Sequence, residues 1–462
     1  MTEITRRAIF DKLLGVFGVC LILFALDYFF CLKVNSDIFT VGIWLLFLYL
    51  IYRIRTQFIV KYMYMLYIQI SSMIGVFCIE NTDIYLSELA VDSSDCNSFL
   101  PLAFGMFLFF SAILFADVLF SSDEDKDSPN LMPLESVFTS AVTIAALALV
   151  SMMLLHVLPT GPAFLLEMDR FLYASEFITG KWMTLQTVFI YIMPVVAVGF
   201  VAKKARRWIS LATILVFFIY LFWTGHKFGL FLTTFYFMLP ALLYQYKINY
   251  KRWISYIAVG VACLITLAAA VNFLIFNQND FVSYLSQRLA QQGQLWWKTY
   301  EMTVDEPGKI DEIGDELEVF FTSDQDVKAK QEYGIYKIMK LTTPEDICTK
   351  KLESGSRYAC GTCPSLYYYF KLPGMIVVLC IFGGAFAFIV NQYFRSVSRK
   401  EVLESIVYGR LIMVFTEVLS QADYDTLFSK RMVLFILLLL AVKWVRYRSP
   451  KLMFPVVQGE CA

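Results

Sequence analysis

The chain predicts an all-α polytopic membrane protein of about twelve transmembrane helices with one large extracytoplasmic loop subdomain. Three observations predict it. Hydrophobic residues make up 58% of the 462 positions and charged ones only 17%, with a mean hydropathy of +0.62, more apolar surface than a soluble domain can bury. Runs such as Ile144–Leu155 and Val433–Val442 are apolar on nearly every side, whereas strands of a membrane barrel would alternate apolar and polar residues. Short basic joints separate these runs, and a single long polar insertion, Asn277–Lys371, interrupts them.

The elements follow in order. Basic residues Arg6, Arg7 and Lys12 lead into Leu13–Leu32, which is too long for a signal-peptide core and reads as an uncleaved anchor. A span needs roughly 20 apolar residues. Further runs are Phe39–Tyr52, Ile59–Cys78, Phe99–Leu119, Val137–Val157, Thr184–Val201, Trp208–Thr224, Phe228–Leu243, Trp253–Phe276, Pro373–Tyr393, Val402–Leu419 and Met432–Trp444. The division is therefore 1–276 with about nine spans, 277–371 as the loop, and 372–462 with about three spans and a tail.

Charge placement orients the chain. Alternate joints carry Arg53/Arg55/Lys61, Lys203/Lys204/Arg206/Arg207, Lys247/Lys251/Arg252 and Arg395/Arg399/Lys400, while Glu80–Ser98 has no basic residue. The positive-inside rule then puts both termini in the cytoplasm and the long insertion outside. Lys+Arg and Asp+Glu both number 39, so net charge points to no nucleic-acid partner; the partner composition implies is the lipid bilayer. Glycine-rich nucleotide loops and metal-ligand clusters are absent from the sequence, so no cofactor and no metal is expected. Cys348, Cys360 and Cys363 cluster in the insertion, where a disulfide is expected in an oxidising compartment, with Cys348–Cys360 as the first choice.

Charges at the ends of spans are the candidates for chemistry, because inserting one at the bilayer centre costs roughly 2.5–3.5 kcal/mol. Lys227 stands in Thr224-Gly-His226-Lys227-Phe-Gly229, where glycines permit close approach of a ligand; its competing reading is a snorkelling lysine. Arg170 lies in Glu167-Met-Asp-Arg170-Phe-Leu-Tyr173 and competes with an i,i+3 pairing to Glu167. Arg288 precedes Gln291, Gln292, Trp296 and Trp297; Phe281, Val282, Leu285 and Leu289 recur there at helical spacing, as in an amphipathic helix near the outer interface. Three cations at one depth suit an anionic lipid diphosphate. Glu417 ends a span and suits a general base, with Asp425 in reserve and Lys430 and Arg431 following. Arg410 reads as a neutraliser of Glu404, and Asp27, Asp117 and His156 read as isolated.

Taken together, four stretches resemble the Wzy-type polysaccharide polymerases: Phe164–Tyr173 with Pro194, Thr224–Lys227, Gln287–Trp297, and Glu417–Arg431. Cys363-Pro-Ser365 with Lys371-Leu-Pro-Gly374 also resembles that family's return from its outer loop. The family usually carries arginine where this chain has Lys227, and lysine lacks the planar fork. The resemblance implies a GT-C-like, metal-independent glycosyltransferase in the bacterial inner membrane. Its donor and acceptor would be undecaprenyl-diphosphate-linked oligosaccharides, and a chain-length regulator and a flippase would be possible partners. Arg170, Lys227 and Arg288 would stabilise the departing diphosphate and Glu417 or Asp425 would take the proton. Tyr173, His226, Gln291, Gln292, Trp296, Trp297, Lys430 and Arg431 would contact substrate. The rivals are an O-antigen ligase, which shares the donor, and a flippase or exporter, which predicts paired charges within the membrane.

Overall fold

The computed structural model describes residues 3–30, 36–121, 133–166, 168, 170–226, 228–247, 249–260, 266, 281–314, 332–353 and 356–448. The protein is an all-α polytopic membrane protein. Among the described residues eight helices are long and apolar enough to cross a bilayer. These are α1 (Glu3–Phe30), α2 (Ser36–Lys61), α3 (Met63–Asn81), α4 (Phe99–Phe120), α5 (Pro133–Val157), α7 (Lys181–Ala202), α8 (Lys204–Trp223) and α14 (Thr362–Ser398). Between and after them come α6 (Arg170–Phe177), α9 (Phe228–Tyr246), α10 (250–260), α11 (Phe281–Thr303), α12 (Gly334–Thr342), α13 (Glu345–Glu353), α15 (Val402–Gln421), α16 (Asp425–Phe428) and α17 (Lys430–Arg448). The other four expected spans fall on α9, α10, α15 and α17; most of Trp253–Phe276 lies outside the described residues.

The chain divides into two compact units. The first comprises Met1–Lys126, Tyr246–Gln392 and Ile412–Leu427, and the second Asp127–Gln245, Tyr393–Leu411 and Phe428–Ala462. The insertion falls in the first unit because it folds back onto helices that precede it by 200 residues. A close backbone crossing makes this possible. A Cβ on Gly293 of α11 would lie 2.3 Å from the Val76 nitrogen of α3, and one on Gly75 would lie 2.4 Å from the Leu289 carbonyl. Only glycine at both positions lets the two helices touch. So α11 is packed backbone to backbone on α3.

Within the first unit, polar side chains fasten the helix ends. The Glu80 carboxylate accepts the backbone N–H groups of Ser98 at 2.6 Å and Phe99 at 3.1 Å, satisfying donors that the start of α4 leaves unpaired. Asn81 donates to Asp37 at 2.7 Å, joining α3 to the start of α2. Between α3 and α4 a two-residue-per-strand antiparallel hairpin, β1 (Tyr85–Leu86) and β2 (Val91–Asp92), pairs Tyr85 with Asp92. Its Leu86 and Leu89 enter an apolar core with Ile79, Trp297, Ile338 and Tyr358. This core makes the insertion and the 80–98 joint one folded cap.

The long α14 is two helices joined at Lys371, whose backbone is left-handed (φ 54°, ψ −174°) and precedes Pro373. Its first part feeds Tyr368 and Tyr369 into the cap core, and its second part begins where the sequence placed the return to the membrane. In the second unit α5, α7 and α8 pack through small residues: a Cβ on Gly199 would come 2.7 Å from the Thr143 hydroxyl.

Candidate functional site

In the second unit two of the quoted stretches come together. After α5 the chain turns through Pro162–Leu166, and the Ala163 N–H donates to the Trp223 carbonyl at 2.9 Å. Gly225 stands beneath this turn with φ +72°, and a Cβ there would meet Ala163 at 3.0 Å and the Arg170 backbone at 3.8 Å. The turn after α8 therefore needs a residue that tolerates left-handed backbone and has no side chain. The consequence is that Arg170, exposed at the first position of α6, lies beside Gly225-His226.

His226 is held from both sides. Its Nδ1 pairs with the Thr224 hydroxyl at 2.9 Å and its Nε2 with the Gln186 side-chain nitrogen at 3.2 Å. Gln186 in turn accepts from the Tyr220 hydroxyl at 3.1 Å. Burial, and then the positive charge of Arg170, push the imidazole down to about 4. The ring is thus neutral at physiological pH, and the local positive charge resides on Arg170. A neutral hydrogen-bonded scaffold with an exposed guanidinium on its rim is equipped to hold an anion.

Tyr173 is placed away from solvent. It is fully buried, and its hydroxyl is 2.5 Å from that of Thr160 and donates to the Gly161 carbonyl at 2.9 Å. It anchors α6 to the preceding turn. Lys227 and the expected partner Glu167 lie outside the described residues. Lys430 and Arg431 open α17, and their side chains lie outside the description.

In the first unit Arg288 is exposed on α11 and donates to Gln291 at 3.1 Å; Gln292 is half-buried one position on. Trp296 and Trp297 are both 1% exposed, which corrects their assignment to sugar rings. Their indole N–H groups donate to the Ser98 and Ser94 carbonyls at 3.0 and 2.9 Å. They fasten α11 to the joint between α3 and α4.

Glu417 is half-buried near the end of α15, with Asp423 beyond it and Asp425 opening α16. Their cationic neighbour is not among the residues the sequence singles out. Arg357, from the cap loop before α14, pairs with Asp423 at 2.5 Å. Burial by itself lowers the guanidinium, but Asp423 and then Tyr336 and Glu417 raise it above the ordinary arginine value. The end of α15 is further bound where Gly361 N–H donates to the Ser420 carbonyl, Thr362 to Val418, and Gln69 of α3 to Leu419. Arg357 carried no sequence signal because it stands as one basic residue in a mixed loop.

A second charged cluster lies among the helices of the first unit. Asp117 of α4, 1% exposed, pairs with Arg55 at 2.7 Å and Lys61 at 2.9 Å. It also accepts from Tyr62 at 3.0 Å and from Asn391 at 3.1 Å. Asp117 is therefore not isolated. Nor is Asp27, which accepts from Thr40 at 2.5 Å. His156 stacks on Trp182 with centroids 4.1 Å apart and bonds the Phe177 carbonyl. Arg410 lies over the Tyr191 ring at 4.6 Å, a cation–π contact in place of the expected role toward Glu404.

Cys348, Cys360 and Cys363 are buried free thiols, so the expected Cys348–Cys360 bridge is not formed. Cys348 packs in the cap core, while the Cys360 sulfur faces the Ile68 carbonyl at 3.9 Å. Burial raises both thiols, Cys360 to about 11, leaving little thiolate to react. Among the described residues no cluster of His, Cys, Asp and Glu has the form of a metal site.

The model of DUF6418, a family of unknown function, matches residues 328–436. That stretch, less than half of the chain, runs from the cap through α15 into α17 and contains Arg357, Glu417 and Asp423. No curated protein and no solved structure matches the chain.

Proposed function

We propose that the protein is a metal-independent, GT-C-like glycosyltransferase of about twelve spans, polymerising undecaprenyl-diphosphate-linked oligosaccharides on the periplasmic face of the bacterial inner membrane. One observation carries this reading: the Arg170 turn packs on Gly225-His226, two stretches on which the resemblance to Wzy-type polymerases rests. In the reaction an acceptor sugar hydroxyl attacks the anomeric carbon of the donor chain. The carbon–oxygen bond to the diphosphate breaks, undecaprenyl diphosphate leaves, and the hydroxyl proton passes to a carboxylate. An exposed guanidinium beside a neutral imidazole supports the charge that develops on the leaving diphosphate. Lys227, Arg288, Glu417 and Asp425 carry over from the sequence as residues to substitute in the same assay.

The test is reconstitution with purified lipid-linked repeat units. Arg170→Ala is expected to lower polymer formation by about 10²-fold, the scale of removing one stabilising donor, with protein level and thermal stability unchanged. An unchanged chain-length ladder in that variant removes Arg170 from the reaction.

The Arg55–Asp117–Lys61 cluster favours a second reading, a transporter of lipid-linked sugars, because charges paired among membrane helices mark transport pathways. Sealed vesicles separate the two. Movement of the lipid-linked substrate across the bilayer without new glycosidic bonds supports transport; bond formation supports transfer.

A further inference from the structure

The cap carries a polar groove to which no role has been assigned. It has a volume of about 330 Å³ and is lined by Thr82, Asp83, Ile84, Tyr85, Ser286 and Gln287. That volume is at the lower end of the roughly 300–1,000 Å³ range of small-molecule sites. One wall is the start of the hairpin and the other is the first part of α11.

Both walls are anchored to the same core. Strand alternation turns Leu86 inward, 3% exposed, and leaves Tyr85 outward, 54% exposed. The hairpin is closed below Tyr85 by the Ser93 hydroxyl, which accepts from the Ile84 N–H at 2.9 Å and donates to the Thr82 carbonyl at 2.7 Å. The opposite wall is fixed by the Gly75–Gly293 crossing and by the indole bonds of Trp296 and Trp297. The groove is preorganised, and little ordering is needed on binding.

The lining selects a class of ligand. Asp83 and Gln287 are exposed and, with Ser286, supply acceptors and donors. Among the described residues that line the groove there is no lysine or arginine, and Asp83 repels an anion. Ile84 and the Tyr85 ring are the apolar surfaces, too little for a lipid tail and enough for one carbon-rich ring face. Gln291 and Gln294 continue the amide row into a smaller adjoining hollow.

We infer that this groove binds a neutral sugar ring, with Tyr85 stacked on its C–H face and Asp83 and Gln287 hydrogen-bonded to its hydroxyls. The inference deepens the glycosyl-transfer reading and rests on it for the sugar's role as acceptor, although binding itself is tested apart from any transfer. The full chain in nanodiscs is titrated with free glucose, galactose and N-acetylglucosamine, and saturation transfer from protein to sugar is read by NMR. At least one sugar is expected to bind. Tyr85→Ala and Gln287→Ala should each weaken it roughly three- to tenfold, while Tyr85→Phe retains it. These positions are on the surface, and a thermal melt equal to that of the parent protein verifies folding. Saturation of none of the three sugars, or equal binding by Tyr85→Ala and Gln287→Ala, overturns the assignment. Loss of polymer in Arg170→Ala does not bear on this titration, so either reading can fail alone.

Discussion

The Asp117 cluster and the Arg170–His226 turn both assemble charged and polar side chains, yet they are built on opposite principles. Asp117 is surrounded: two cations, a phenol and an amide converge on one buried carboxylate. Little of its hydrogen-bonding capacity is left for a ligand, and its attraction is spent holding α2, α4 and α14. The Arg170 turn spends its hydrogen bonds on the neutral ring of His226, and Arg170 beside it is exposed to solvent. The comparison teaches that a charge buried among opposite charges has its bonding used within the fold, whereas an exposed charge beside a satisfied neutral scaffold stays within reach of solvent.

The sharpest way to break this contrast is Asp117→Ala. It strands Arg55 and Lys61, and loss of one partner of a buried pair is expected to cost about 3–5 kcal/mol, read as a fall in thermal stability in detergent. A variant as stable as the parent would show that the cluster holds nothing together.

Arg170→Ala should leave thermal stability intact while altering His226. Removing the cation eliminates one of the two causes that depress the imidazole, so its midpoint should rise from about 4 toward the ordinary 6.5. The chain has two histidines, so two labelled imidazole resonances follow this directly by NMR. The sign for stability follows. The folded state resists the proton that the unfolded state accepts, so the His226 contribution is complete above about pH 6.5 and declines as pH falls toward 4. In Arg170→Ala this acid-side decline should begin to level off at higher pH. An unchanged His226 titration would separate the two residues.

Arg357 is the intermediate case, 32% exposed against 15% for Asp423. Partial solvation limits what such a pair contributes, and Arg357→Ala is expected to cost less than about 1 kcal/mol in thermal unfolding. A loss as large as that of Asp117→Ala would place Arg357 with the architectural group.

Much of the membrane architecture was legible because hydropathy is a property of consecutive residues. The run Phe99–Leu119 is α4, the break before Pro373 is the Lys371 kink, and the basic joint around Arg55 falls at the non-helical residue of α2. The aromatic and charged residues were harder to read. Trp296 and Trp297 look the same in sequence whether they stack on a ligand or are inserted beneath a turn, and only the Gly75–Gly293 crossing decides it. Arg55 and Lys61 were legible as topology signals, but the same joint also neutralises Asp117.

What the sequence determined by itself is which segments are long and apolar enough to cross a bilayer, since apolar length is a local property. What only the tertiary structure decided is which polar group answers which. Arg55 is 62 residues from Asp117 and Asn391 is 274 from it. Over such separations the partner of a buried charge is chosen by how helices pack, since an unpaired charge in the interior costs several kcal/mol and the fold is the arrangement that supplies the missing half.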